Sequence, residues 1–160
     1  MGHRQIESTL AYYSLTPAIS DIMEYTENQL LKLKTDEKKI NPQAMQIADY
    51  LHDWLEHYVP SIKACSPHTK RNYKISVKLY VEFLRVIKGT TPETLSAECF
   101  CMEYIMEWII WLKENRGCSP ATCNVRLSAL RVFLKYLSFR DISYMSVFLQ
   151  AENVPNEKNS

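Results

Sequence analysis

Cys65-Ser66-Pro67-His68-Thr69-Lys70-Arg71-Asn72-Tyr73 is the stretch on which the fold turns. A serine before a proline marks a helix start. The hydroxyl accepts from an early backbone N–H, and proline is tolerated in the first turn, where its missing N–H has no helical partner. Tyr73, Val77, Tyr80, Val81 and Leu84 follow at helical spacing and are expected to face inward. The helix should reach about Ile87, with Gly89 just past its end. The same start returns as Cys118-Ser119-Pro120-Ala121-Thr122. It opens a second helix with Val125, Leu127, Leu130, Phe133, Leu134 and Leu137 inward. Each copy stands at the head of a basic block, which a good capping sequence alone does not require.

Working outward, Asn41-Pro42 opens a helix carrying Met45, Ala48, Leu51, Trp54, Leu55 and Tyr58, stopped by Pro60. A further helix is expected from about Cys101 to Asn115, inward at Ile105, Trp108, Ile109 and Leu112 and ended by Gly117. A short one is expected around Ser143–Leu149. Trp54, Trp108 and Trp111 lie on apolar faces and read as core. Thr16-Pro17 starts an amphipathic stretch through Ile19, Ile22, Met23 and Leu30. The charged run Lys32 to Lys39 reads as a linker. The expected organisation is therefore an appendage over 1–33, a linker over 34–41, a helical domain over 42–149 and a disordered polar tail over 150–160. With only 3 glycines in 160 residues and 46% hydrophobic content, the fold class is all-α: a compact bundle of four to five helices with an N-terminal helical appendage.

The net charge of +1 announces no polyanion partner, but its distribution does. Residues 61–90 carry Lys63, Lys70, Arg71, Lys74, Lys78, Arg85 and Lys88 against Glu82 alone. Residues 118–140 carry Arg126, Arg131, Lys135 and Arg140 and no acid. Between them, Glu93, Glu98, Glu103, Glu107 and Glu114 outnumber Lys113 and Arg116. Local positive fields of this kind suit phosphates, although solvated helix faces also carry such charge. No stretch has the roughly 18 continuous apolar residues of a membrane span. The N-terminus shows no secretory signal pattern, so a cytoplasmic protein is expected. Cys65, Cys99, Cys101, Cys118 and Cys123 form no C-x-x-C pair. His3, His52, His57 and His68 are not spaced to join them at a metal, and no metal or cofactor is expected.

The two blocks, Ser66 to Tyr73 and Ser119-Pro120-Ala121-Thr122-Cys123-Asn124-Val125-Arg126-Leu127-Ser128-Ala129-Leu130-Arg131, with an acidic helix ending in Trp111-Leu112 between them, resemble the N-terminal core-binding domain of tyrosine recombinases. The resemblance covers about 45–140. It implies a SAM-like helical domain that clamps one face of double-stranded DNA through the two helices after Ser66 and Ser119. It points to Thr69, Lys70, Asn72, Tyr73 and Lys74 on the first, and Thr122, Asn124, Arg126 and Arg131 on the second, as DNA contacts. Lys70, Lys74 and Lys78 share a helical face. Lysines and hydroxyls are expected to hold phosphates, and Asn124 and Arg126 also have chemistry suited to base edges.

Gly2-His3, Ser8-Thr9 and Tyr12 resemble the other end of the same family, the close of the catalytic domain. There the nucleophilic tyrosine follows the Gly-His histidine by nine residues, as Tyr12 follows His3. The resemblance implies that Tyr12 descends from the nucleophile and His3 from the phosphate-binding histidine. Tyr13 is an adjacent competitor. The order is reversed relative to a working recombinase. The catalytic arginines, the lysine and the His-x-x-Arg of the family have no counterpart, so the chain is not expected to cut DNA alone. The arrangement resembles a join between two tandem recombinase genes. Three rivals to a DNA-binding module follow. The 17–33 helix could dock on a full-length tyrosine recombinase and modulate it. Tyr12 could be donated in trans to such an enzyme. The reading frame could be a fusion or pseudogene remnant.

Overall fold

Three of the expected helix starts fall where Asn or Ser precedes Pro, and each is capped as its sequence dictates. The computed structural model describes residues 41–62 and 65–158. Among them every regular element is helical. In chain order come α1 (Pro42–Asp53), a π-helical stretch (Trp54–Tyr58), α2 (Val59–Ser61), α3 (Pro67–Ile87), α4 (Met102–Arg116), α5 (Pro120–Arg140) and α6 (Met145–Glu152). Single 3-10 turns lie at Pro92–Thr94, Ala97–Phe100 and Ile142–Tyr144. The all-α class is as the sequence reads. The described residues group as two compact units, one of 41–62 with 84–96 and one of 65–83 with 97–158.

In the first unit the Asn41 side chain accepts from Gln43 N–H at 3.0 Å, and its Nδ2 donates to the carbonyl of Leu95 at 3.1 Å. The cap thus also ties the start of α1 to the segment after α3. The buried face of α1 is Ala44, Ile47 and Leu51, continued by Trp54, Leu55 and Val59. Met45 and Ala48, expected inward, are only partly covered, and Tyr58 is exposed. The helical run ends at Ser61, one residue past Pro60. Proline lacks an N–H and its ring collides with the carbonyl four residues back. The π-helical stretch before it widens the turn, with Val59 N–H reaching Trp54 O, five residues back. At the end of α3, Gly89 takes φ 65° and Thr90 N–H closes onto Leu84 O at 3.0 Å. That bond, reaching six residues back, closes the helix at the glycine stop the sequence calls for.

The second unit is built on aromatic packing. Tyr80 on α3 is fully buried among Phe83, Phe100 and Trp108, with ring centroids at 5.9, 5.2 and 5.0 Å. Its hydroxyl donates to Cys99 O at 2.6 Å, so the one polar atom of the ring is satisfied. From α5, Leu127, Leu130, Phe133, Leu134 and Leu137 fill the other side. Each fully buried large side chain contributes about 1.5–3 kcal/mol, so this cluster dominates the stability of the unit. Trp108 and Trp111 are core, as expected.

Three expectations are corrected. Phe83 is buried, whereas Val81 and Tyr73 are only partly so. Val125 points out, 45% exposed. The segment expected to fray from residue 150 is ordered through 158. α6 runs to Glu152, Ala151 and Val154 are buried, and the chain then returns along α5. The polar composition of this tail concealed one apolar anchor, Val154, and hydrogen-bond partners on α5.

Candidate nucleic-acid interface

The two echoed starts have the same local structure. Thr69 N–H donates to Ser66 Oγ at 3.1 Å, and Thr122 N–H donates to Ser119 Oγ at 3.2 Å. In each case the serine and threonine hydroxyls also meet, at 3.1 Å. The shared Ser-Pro-x-Thr spacing therefore encodes a doubled cap, in which the threonine hydroxyl is held by the serine.

These starts are brought together. Thr69, Asn72 and Tyr73 of α3 and Asn124, Val125, Ser128 and Ala129 of α5 line one open recess of about 300 Å³. Four of the residues named from sequence, Thr69, Asn72, Tyr73 and Asn124, thus share a site. Its walls carry hydroxyls, amides and small apolar groups and no formal charge. By helical spacing Lys70 and Lys74 stand about 100–140° round α3 from Thr69, and Lys78 about 180°. Thr122 is held in the cap of α5. Val125, Ser128 and Ala129 were not in the sequence-based set. Their i, i+3, i+4 spacing is the signal that finds them, but Val125 reads as core when only its hydrophobicity is weighed.

The remaining basic residues of α5 are engaged within the fold. Arg126 Nη1 reaches Ser76 Oγ at a long 3.4 Å, while Ser76 donates to Asn72 O at 2.7 Å. The Arg126 Nε is buried without a hydrogen-bond partner. Arg131, expected on DNA, here donates from Nε to Ala151 O at 2.9 Å, from Nη1 to Asn156 Oδ1 at 3.2 Å and from Nη2 to Val154 O. Asn124 is bonded twice to Glu157, from Nδ2 to its carbonyl at 2.9 Å and by Oδ1 to its N–H at 2.7 Å. Lys113 on α4 pairs with the Glu157 carboxylate at 3.1 Å.

His3 and Tyr12, with the appendage over 1–33 and the linker through residue 40, lie outside the described residues. Among the described residues no cluster of His, Cys, Asp or Glu is placed to hold a metal ion. No helix among them is long and apolar enough to cross a membrane. Burial pushes the Cys123 thiol up, so near the start of α5 it is a packing group and not a reactive one.

Residues 51–141 match the family described as Phage integrase, N-terminal SAM-like domain. The matched span runs from within α1 to one residue past α5, and takes in both capped helices and the whole recess. The chain belongs to this family of phage integrases and tyrosine recombinases. No curated protein and no solved structure gives a significant match.

Proposed function

We propose that this chain is a DNA-binding module of a tyrosine recombinase or integrase, and that it lays the recess between the amino-terminal halves of α3 and α5 against duplex DNA. The observation that carries this reading is the convergence of Thr69, Asn72, Tyr73 and Asn124 on one uncharged trough, on a helix that also carries Lys70, Lys74 and Lys78, within the family-matched span. In this reading the lysines hold phosphates and fix register, while the amides and Val125 face base edges. The module binds without cutting. In this reading the sequence has no counterpart of the family's catalytic arginines, lysine and His-x-x-Arg, and a tyrosine hydroxyl with a pKa near 10 is a poor nucleophile without such groups. A full-length tyrosine recombinase on the same DNA would supply the chemistry.

The test is fluorescence anisotropy of the full chain on a mixed-sequence duplex across salt. With three phosphates neutralised, log affinity falls with log salt at a slope of about −2.7, so a fourfold rise in salt weakens binding roughly 40-fold. Replacing Lys70 and Lys74 by alanine should reduce the slope by about 2. Absence of binding at low salt, or a slope unaltered by the double variant, refutes the reading.

A further inference from the structure

The segment after α6 occupies the face of α5 that carries Asn124 and Arg131. These residues stand about two helical turns apart on one side of the helix. Every hydrogen bond described above for their side chains goes to residues 151–157. Val154 of the segment is buried, and Lys113 holds the Glu157 carboxylate. The pattern of the bonds matters more than their number. Glu157 presents one N–H and one C=O to the Asn124 amide, with both bonds short. A donor beside an acceptor is what the major-groove edge of adenine presents to an asparagine. Arg131 receives three oxygens around its fork, two from the segment at Val154 and Asn156 and one from Ala151 in α6. Converging acceptors are what a phosphate or a guanine edge presents to an arginine. The segment thus meets two DNA-suited side chains with the groups that DNA would bring.

We infer that residues 153–158 form a strap that competes with duplex DNA for Asn124 and Arg131. With the strap seated, DNA meets α3 and the near wall of the recess, and binding is weak and insensitive to sequence. With the strap displaced, Asn124 and Arg131 join the interface. The inference rests on the DNA-binding reading above. Competition lowers the apparent affinity to the intrinsic one multiplied by the fraction of time the strap is open. A strap open one-tenth of the time therefore hides about a tenfold gain.

The experiment compares the full chain with a form ending at Glu152, both bound to the mixed-sequence duplex at low salt, and with the same pair carrying Asn124→Ala. Shortening should tighten binding about five- to tenfold, and in the Asn124→Ala background the full and shortened forms should bind alike. Amide exchange on the full chain gives a second readout that needs no shortened form to fold. Adding duplex should speed exchange at Glu157 N–H, because its acceptor on Asn124 is taken. DNA binding by the full chain with no gain on shortening, or with Glu157 N–H equally or better protected, overturns the strap and leaves the DNA-binding reading intact. No binding by either form overturns both.

Discussion

Trp108 stands edge-on to Tyr80, with ring centroids 5.0 Å apart and planes at 88°. This joins α3 to α4 at the point where Tyr80 also reaches the Cys99 carbonyl at 2.6 Å. The hydroxyl lets a bulky ring sit at zero exposure without stranding a polar atom. Tyr80→Phe keeps the ring and removes the hydrogen bond to the Cys99 carbonyl. A loss of about 1–3 kcal/mol in unfolding free energy is expected by urea titration.

Burial also holds the Tyr80 hydroxyl well above its ordinary range. The folded state therefore favours the neutral phenol. Its contribution is complete below the unfolded value of about 10 and is lost as pH rises beyond it. An alkaline titration followed by tyrosinate absorbance should leave Tyr80 unionised until unfolding, and Tyr80→Phe should remove one equivalent from the delayed absorbance.

His52 behaves in the opposite sense. Burial is the largest influence and lowers its pKa, with His57 adding to that and Glu56, Asp53 and Asp49 opposing. The folded state favours neutral imidazole. The contribution is complete above the unfolded value of about 6.5 and is lost as pH falls below it. Stability measured between about pH 7.5 and 5 should decline less steeply in His52→Gln than in the parent.

The doubled caps carry a separate expectation. Ser66→Ala and Ser119→Ala should each cost about 1 kcal/mol, and Ser→Asp at either position should recover most of it, because the carboxylate also accepts the N–H of the residue three on. Thermal melts of the four variants decide this.

Gly117 closes α4 at φ 64°, with Cys118 N–H bonded to Leu112 O at 3.0 Å. A Cβ built there meets nothing within 4 Å. The cost of Gly117→Ala is therefore backbone strain alone, about 1 kcal/mol, and Gly117→Asn should cost less. A loss of several kcal/mol would mean that a side chain does collide there.

The caps and glycine stops were legible in sequence because each rests on one residue's own chemistry, at Asn41, Ser66, Ser119, Gly89 and Gly117. Faces were less so. Val125 has the hydrophobicity of a core residue, but its position is set by how α5 lies against α3, which no local pattern contains. Half of the candidate site was readable for the same reason: Thr69, Asn72, Tyr73 and Asn124 sit at the heads of recognisable helices. The partnership of Asn124 and Arg131 with residues 151–157 was not. It joins segments remote in sequence through main-chain atoms, which carry no residue identity to read.

The π-helical stretch before Pro60 has a consequence for alignments. Trp54 and Val59 are both fully buried, yet five residues on an ordinary α-helix stand about 140° apart. The wide turn absorbs one residue and returns the apolar face to the same side. A relative without a proline here should be one residue shorter across 54–59 and keep both apolar positions, spaced by four. An aligner that forbids the gap would put a surface residue opposite Val59 and misread every position before it.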